Sequence, residues 1–188
     1  MNGPDTLPLT TGHRLTALAQ TDLPALVAGA NNPNVYATTG SLPYPYTTAH
    51  GEAFLASTAA YEAQHHHRRS WAIRAPGGEL LGVIGRKVLH PLEWHADEVG
   101  YWLAEPHWGQ GIATAALAAY TAHLHAYEGL VRIEAFALAH NVASHRVLEK
   151  NGYQREGHLA AEYRKDGVYF TSVLFAHVRY PEGAVLGN

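Results

Sequence analysis

The amino-acid sequence predicts one α/β domain built on a mixed β-sheet, with helices on both faces of the sheet. The chain has 188 residues, which is the size of a single domain. Its apolar periodicity gives the element order β-α-α-β-β-β-α-β-α-β-β. A strand, a helix and a strand follow one another in the middle, which requires parallel pairing there, whereas the hairpins elsewhere require antiparallel pairing.

The first segments alternate between extended and helical patterns. Residues 14–19 predict a strand. Thr21 or Asp22 is expected to cap a helix that runs to about residue 30, because either side chain can accept a hydrogen bond from the first helical turn. Residues 31–46 are dense in Asn, Pro and Gly, so the sequence predicts a loop there.

A second helix, opened by Thr47 or Thr48, leads into a hairpin. Residues 70–74 and 80–89 form two strand-like runs around Pro-Gly-Gly at 76–78, which is typical of a hairpin turn. The remaining elements are a strand at 98–103, a helix at 109–127, a strand at 130–137, a helix at 141–150 that stops at Asn-Gly, and a hairpin of 153–163 with 168–178.

Composition excludes several classes of protein. Hydrophobic residues make up 47% and charged residues 15% of the chain, which excludes a disordered polymer. The net charge of −3 and the lack of cysteine argue against a broad nucleic-acid surface, disulfides and thiolate metal sites. There is no apolar run of about 18 residues and no basic-then-apolar start, so we expect a cytoplasmic protein with no membrane contact.

Fourteen histidines are unusual for this length. No HExxH motif occurs, and His123 and His125 lie two apart on a predicted helix, where they face different ways. We therefore expect no metal site. The run His65-His66-His67 favours a solvated loop; weak metal affinity or a cationic patch at lower pH are the alternatives.

The most informative stretch is a strand followed by a glycine-containing loop and a long helix. Gly109 and Gly111 let the backbone approach a ligand closely, and a helix N-terminus favours phosphate. The alternative is that the glycines simply make a tight turn. Two other phosphate loops are excluded, because GxxxxGK[ST] is absent and Thr114 occupies the last position of GxGxxG.

This loop resembles the pyrophosphate loop of the GNAT superfamily of acyl-CoA-dependent N-acyltransferases, whose pattern is Q/R-x-x-G-x-G/A. Trp108 takes the first place, Gly111 the fourth and Ala113 the sixth. The Trp departs from the general pattern but is similar to the RimJ/RimL branch. That branch also resembles the chain at GSLPYPY (40–46), EVGYWL (98–103) and NVASHRVLEKNGY (141–153).

The resemblance implies a splayed mixed sheet with acetyl-CoA in the cleft. It implies that strand-like main-chain bonds around 102–104 hold the pantetheine arm. The cofactor-binding residues expected from it are Trp102, Leu103, Ala104, Trp108, Gly109, Gln110, Gly111, Ile112, Ala113, Thr114, Asn141 and Ser144. Asn141 is also expected to cap the helix that it precedes.

Amine acetylation needs a base for the amine and a group that assists the leaving thiolate. The resemblance implies Glu98 as the base; the alternatives are His95, water, or an ordinary solvated role for the carboxylate. Leu148 stands where many superfamily members place a tyrosine, so Ser144 is the expected proton donor or sulfur-orienting group. The alternatives are that a water supplies the proton, that the thiolate leaves unaided, or that Ser144 is only part of the first helical turn. Tyr44, Tyr46 and Trp102 are expected to line the acceptor groove, although Trp102 also suits core packing.

The predicted function is N-acetyl transfer from acetyl-CoA to a primary amine, either a protein N-terminus of the ribosomal-protein type or a small amine. The partners are then acetyl-CoA and that acceptor, bound by a monomer or homodimer. The alternatives are a catalytically idle acyl-CoA-binding domain on the same fold, and a nucleotide-binding protein that uses the same helix N-terminus.

Overall fold

The computed structural model describes residues 3–87 and 95–187. In this part of the chain an eight-stranded sheet has the order β1-β2-β3-β4-β5-β6-β8-β7. The strands are β1 Leu7–Pro8, β2 Arg14–Thr16, β3 Ser70–Arg74, β4 Leu80–Lys87, β5 Ala96–Leu103, β6 Arg132–Leu138, β7 Gln154–Lys165 and β8 Val168–Val178. The helices are α1 Leu23–Ala30, α2 Pro33–Thr38, α3 Thr48–His65, α4 Ile112–Tyr127 and α5 Val142–Lys150, with short 3-10 helices at Gln20–Asp22 and Glu105–His107.

The sheet opens between the neighbouring strands β5 and β6. β5 and β6 are parallel, as the crossover predicted, and the other neighbouring strands are antiparallel. The parallel register covers Ala96 with Arg132, Asp97 with Ile133 and Glu98 with Glu134. Beyond Glu98 the strands diverge, although β5 continues to Leu103 and β6 to Leu138. The result is a V-shaped gap at the carboxyl ends of the two strands.

Each face of the sheet carries its own apolar core. On one face Val99 and Leu103 pack with Ile112 and Tyr120 of α4 and Leu148 of α5. On the other face Trp102 packs against a cluster formed by Leu26, Leu55, Val83 and neighbouring side chains. The predicted alternation along β5 is therefore confirmed, and helices cover both faces.

The helix α2 corrects the predicted loop at 31–46. Asn32 is its N-cap: the side-chain oxygen accepts from the N–H of Asn34 at 2.8 Å and of Val35 at 3.2 Å. Pro33 supplies the first helical residue, where its fixed φ suits the helix and no N–H is needed. The Asn-Pro pair, taken above as a loop signal, starts this helix.

Two further boundaries differ from the prediction. Neither Thr21 nor Asp22 caps α1 with its side chain; the Asp22 carboxylate instead binds Arg74 and accepts from the Ala19 N–H. The strand predicted to residue 19 ends at Thr16, and β1 was not foreseen. Residues 88–89 of the predicted strand 80–89 lie outside the described residues.

The C-terminal end of α2 is held by side chains from several elements. Thr39 Oγ1 donates to the Val35 carbonyl at 2.9 Å, His140 Nε2 to that of Ala37 at 2.9 Å and Asn141 Nδ2 to that of Thr38 at 2.9 Å. Lys165 Nζ donates to the carbonyls of Tyr36 and Thr39. Because the last carbonyls of a helix have no partners within it, these bonds fix α2 over the open end of the sheet.

Candidate active site

A cavity of about 910 Å³ runs through the gap between β5 and β6. Its walls come from the ends of β4, β5 and β6, the starts of α4 and α5, the outer turns of α3, and the loop that follows α2. Most of the predicted site residues lie in this lining: Glu98, Trp102, Leu103, Trp108, Gly109, Gln110, Gly111, Ile112, Ala113, Thr114, Asn141, Ser144 and Tyr46. Two do not, Ala104 and Tyr44.

The edge of β5 presents main-chain groups to the gap. The Ala104 N–H donates to the Leu81 carbonyl of β4 at 2.8 Å. Since hydrogen-bonded pairs alternate along an antiparallel ladder, the main-chain groups of Trp102 and Ala104 face β4, and those of Tyr101 and Leu103 face the gap. On β5, the main-chain groups that border the gap are therefore those of Tyr101 and Leu103 and not those of Trp102 and Ala104.

The N-terminus of α4 opens into the same cavity. Gly109 and Gly111 have φ angles of +73° and +76°, and a Cβ built on either would meet nothing within 4 Å. No side chain caps this helix end. The N–H groups of the first turn thus face open space with the positive end of the helix dipole, an arrangement that suits a phosphate.

Trp108 fastens the loop to the strand before it. Its indole Nε1 donates to the Leu103 carbonyl at 2.8 Å, while the ring remains 39% exposed. The tryptophan that departs from the general GNAT pattern therefore sets the distance between the end of β5 and the start of α4.

Glu98 lies on the face of β5 that is turned toward α3. Glu98 is 7% exposed. Its Oε1 lies 2.8 Å from Nζ of Lys87, which is the register partner of Glu98 on β4. Tyr163, on β7, lines the cavity nearby. Burial, followed by the charges of Glu98 and Glu162, raises the pKa of Tyr163 to about 12, so its hydroxyl stays protonated and can donate.

The opposite face of β5 carries a pair of hydroxyls. Tyr101 Oη and Ser144 Oγ are 2.9 Å apart, which joins β5 to the first turn of α5. Burial raises the pKa of Tyr101 to about 12, with the Ser144 hydrogen bond acting in the opposite direction. Leu148 of α5 is 1% exposed and packs in the core. The tyrosine hydroxyl beside Ser144 is therefore that of Tyr101 on β5.

Asn141 has both ends of its carboxamide engaged. Its oxygen accepts from the Ser144 N–H at 3.1 Å, which is the predicted N-cap, and its nitrogen donates to Thr38 of α2. The side chain therefore links α5 to α2 at the edge of the cavity.

The acceptor side of the cavity differs from the expected aromatic groove. Tyr46 is 5% exposed and packs in the core with Trp102. Tyr44 is 48% exposed and tilts against Tyr36 outside the cavity. The sequence analysis did not include Tyr101 and Tyr163 among the site residues. The period-2 pattern of β5 put Tyr101 on the other face of the strand from Glu98, but no local pattern indicated that Tyr101 contacts Ser144.

The histidines do not converge on a site. Over residues 3–87 and 95–187, no group of three or more His, Asp or Glu side chains is arranged to hold a metal ion. His95 is not among the cavity-lining residues, and the histidine run closes α3: His65 is its last residue and His66 follows with a left-handed φ of 56°. None of the described helices is both long and apolar enough to cross a membrane.

The open mixed sheet and the uncapped helix N-terminus beside it are the arrangement that the resemblance to the acetyltransferases implied. The chain belongs to the GNAT acetyltransferase family: the family model for the acetyltransferase (GNAT) domain matches residues 14–154.

Two bacterial proteins have sequences similar to this chain. The chain is 29% identical to the uncharacterized N-acetyltransferase YoaA of Bacillus subtilis (strain 168) over 131 residues, 68% of this chain and 73% of that protein. It is 40% identical to the ribosomal-protein-serine acetyltransferase of Escherichia coli (strain K12) over 89 residues, 47% of this chain and 49% of that protein.

Solved structures share the fold. RimL, a ribosomal L7/L12 alpha-N-protein acetyltransferase in complex with coenzyme A, superposes with a TM-score of 0.82 at 22% identity, over 92% of this chain and 97% of that one. Mycobacterium smegmatis RimJ in complex with a CoA-disulfide superposes with a TM-score of 0.80 at 26% identity, over 95% and 90% of the two chains.

Proposed function

We propose that this acetyltransferase moves the acetyl group of acetyl-CoA to the N-terminal amine of a protein. One observation carries the proposal: the gap-facing main-chain groups of β5, the open start of α4, Glu98 and the Tyr101–Ser144 pair all border a single cavity. The similarity to ribosomal-protein acetyltransferases favours a protein N-terminus over a small amine.

Acetyl-CoA would bind as a substitute for the missing strand pairing. Its pyrophosphate would accept hydrogen bonds from the N–H groups between Gly109 and Thr114. Its pantetheine amides would pair with the edge of β5 at Tyr101 and Leu103, where β6 has diverged. This orientation directs the thioester along β5 toward Ser144 on one face and Glu98 on the other.

Glu98 would take the proton of the acceptor. The amine nitrogen attacks the thioester carbonyl carbon, a C–N bond forms, the C–S bond breaks, and one amine proton moves to the carboxylate directly or through water. One Glu98 oxygen is engaged by Lys87, which fixes the carboxylate. The Tyr163 hydroxyl is placed to hold the acceptor or a water beside it.

The Tyr101–Ser144 pair would stabilise the leaving thiolate. The Tyr101 pKa of about 12 lies well above the pKa of about 8.5 of a cysteine-like thiol. Complete transfer of the tyrosine proton to the sulfur would therefore cost about 5 kcal/mol. Ser144, backed by Tyr101, would hydrogen-bond to the sulfur, and the thiol would take its proton finally from water.

The proposal is tested with acetyl-CoA and two peptides that differ only in a free or blocked N-terminus. We expect thiol release and one added acetyl group on the α-amine of the free peptide, located by fragmentation mass spectrometry. Acetylation confined to small amines would change the acceptor class. Acetyl-CoA binding without turnover on any amine would indicate an idle binding domain, and displacement of acetyl-CoA by ATP would indicate a nucleotide-binding protein.

A further inference from the structure

The part of the cavity that extends over the sheet from Glu98 past Gly100 and Gly85 to Ser70 and Arg69 is here called the acceptor arm. We propose that this arm ends in an anion-binding subsite at Arg69, so that the enzyme prefers acceptors with a carboxylate a few residues from the reacting amine. The inference rests on the proposed function and specifies its substrate class.

The floor of this arm is made of very small residues. Ser70, Gly85 and Gly100 lie opposite one another on β3, β4 and β5, on the sheet face that also carries Glu98. A Cβ on Gly100 would meet nothing within 4 Å, whereas one on Gly85 would lie 2.7 Å from the Arg69 carbonyl. The three residues line the cavity together with Glu98 and Arg69, so the acceptor arm of the cavity extends across this face of the sheet from Glu98 to Arg69.

One wall of the acceptor arm is formed by side chains of α3. His50, Ala53 and Phe54 line the cavity from this helix. Further along α3, Ser57 Oγ accepts from Arg69 Nη2 at 2.7 Å, and the Tyr61 ring centroid lies 5.0 Å from the guanidinium carbon. Arg69 thus stands at the far end of the acceptor arm, held by two neutral side chains.

Arg69 differs from the nearby cations Lys87 and Arg86 in lacking an acidic partner within the described residues. Lys87 is paired with Glu98 at 2.8 Å, and Arg86 is paired with Asp97 and with Glu128, both at 3.3 Å. No carboxylate lies within ion-pair distance of Arg69 in the part of the chain that the structure describes. A half-buried guanidinium with open donors suits a carboxylate as its ligand.

The spacing fixes the kind of acceptor. Arg69 precedes β3 and Glu98 lies on β5, so two interstrand spacings separate them, about 10 Å. An extended peptide advances about 3.3 Å per residue. When the N-terminal amine lies at Glu98, the side chain of the second or third residue therefore reaches Arg69. The overall charge of −3 would by itself favour basic acceptors, so a preference for acidic ones would have to be local.

The test compares two N-terminal peptides that differ only in Glu or Gln at the third residue. We expect the parent enzyme to favour the Glu peptide by about 10-fold in kcat/KM, the scale of one partly exposed charge-assisted bond. Arg69→Gln should abolish this preference and leave kcat/KM for the Gln peptide within about twofold. Arg69→Lys should keep part of the preference, and added salt should weaken it.

Arg14→Gln is the matched control. It also removes one positive charge, but Arg14 lies on β2, opposite Arg74 at the far end of β3. There it donates to the Pro76 carbonyl and does not line the cavity. It should leave the preference unchanged, and thermal unfolding of both variants checks that they fold.

Equal kcat/KM for the two peptides with the parent enzyme would overturn the subsite alone. An equal loss for both peptides in folded Arg69→Gln would also overturn it, by making Arg69 structural. Failure to acetylate either peptide would instead overturn the proposed function and the subsite with it.

Discussion

At the scale of single residues, Glu98 is buried, paired with Lys87 and placed at the mouth of the acceptor arm. Glu98→Gln keeps the shape of the side chain but removes the base. We expect kcat to fall by about 10² to 10⁴, with acetyl-CoA affinity nearly unchanged. Glu134→Gln is the control, since Glu134 lies opposite Glu98 on β6 but outside the cavity lining. A loss below about threefold for Glu98→Gln would assign the proton to water.

The hydroxyl pair gives a second prediction at this scale. Ser144→Ala should lower kcat by about 10- to 100-fold with little effect on the acetyl-CoA dissociation constant. Because Tyr101 would act through Ser144, adding Tyr101→Phe to Ser144→Ala should cost much less than Tyr101→Phe costs alone. Single-turnover acetyl transfer in the four proteins of this cycle measures the coupling. Independent, additive losses would show that the two hydroxyls do not act as a unit.

The sequence predicted which residues face the cavity at those positions where a local pattern determines the direction of the side chain. The alternation along β5 placed Glu98 and Tyr101 on opposite faces, and Asn141 capped α5 as its position before the helix implied. The contact between Tyr101 and Ser144 joins residues 43 positions apart, so no local pattern carries it. The same holds for Ala104, whose N–H is committed to a strand that only the folded sheet brings alongside.

At the scale of elements, the start of α4 gives a third prediction. Gly111→Val would put a branched side chain into the open space before the helix, on a backbone of φ +76°. We expect acetyl-CoA to bind more weakly by a few kcal/mol, about the value of losing charge-assisted bonds. Gly129→Val is the control, because Gly129 has φ +68° and equally open surroundings but lies outside the cavity lining. Isothermal titration of both folded variants separates backbone strain from lost phosphate contacts, and equal affinities would contradict the placement.

The helix α2 shows why element prediction failed at one place. Six residues form it, too few for apolar periodicity to be visible, and its composition is that of a loop. Its N-terminal signal, Asn before Pro, was present in the sequence. Its C-terminal carbonyls, however, are satisfied by His140, Asn141 and Lys165 from distant elements, and these partners exist only after the chain has folded.

At the scale of the whole molecule, a buried ion pair ties the N-terminal segment to the sheet. The two Asp22 oxygens lie 2.8 and 2.7 Å from the Arg74 nitrogens. Burial opposes ionisation of this carboxyl, but hydrogen bonds from Arg74 and the Ala19 N–H outweigh it and lower the Asp22 pKa. Breaking such a pair leaves Arg74 uncompensated, so Asp22→Asn should lower the free energy of unfolding by about 3 kcal/mol at neutral pH.

The pH dependence of this effect has a definite sign. A lowered pKa in the folded state stabilises the protein above the unfolded value of about 3.9, and this contribution is lost as the pH falls through the folded value. The stability difference between the parent and Asp22→Asn should therefore be constant above about pH 5 and shrink below about pH 4. Urea unfolding at several pH values measures it. A difference that grows on acidification would contradict the assignment.

The fold as a whole was largely predictable, because each strand and helix of the second half lies where periodicity placed it and the central crossover fixes one parallel pair. The splay of β5 and β6 was expected from family resemblance alone. Neither strand contains a proline, which would forbid further pairing, so no local pattern in the two strands indicates where they diverge.

The splay also makes the ligand part of the scaffold. Only three register pairs join the five-stranded part of the sheet, β1 to β5, to the three-stranded part formed by β6, β8 and β7, so strand pairing links the two parts over a short segment. A molecule that fills the gap between β5 and β6 with strand-like bonds would stabilise the native state by about 2.7 kcal/mol at one hundred times its dissociation constant. The amides of Tyr101 and Leu103 should then exchange with deuterium rapidly in the free protein and slowly in the presence of acetyl-CoA. The bound co-substrate would thus hold the two parts of the sheet together, and each release of coenzyme A would leave them joined by direct strand pairing alone.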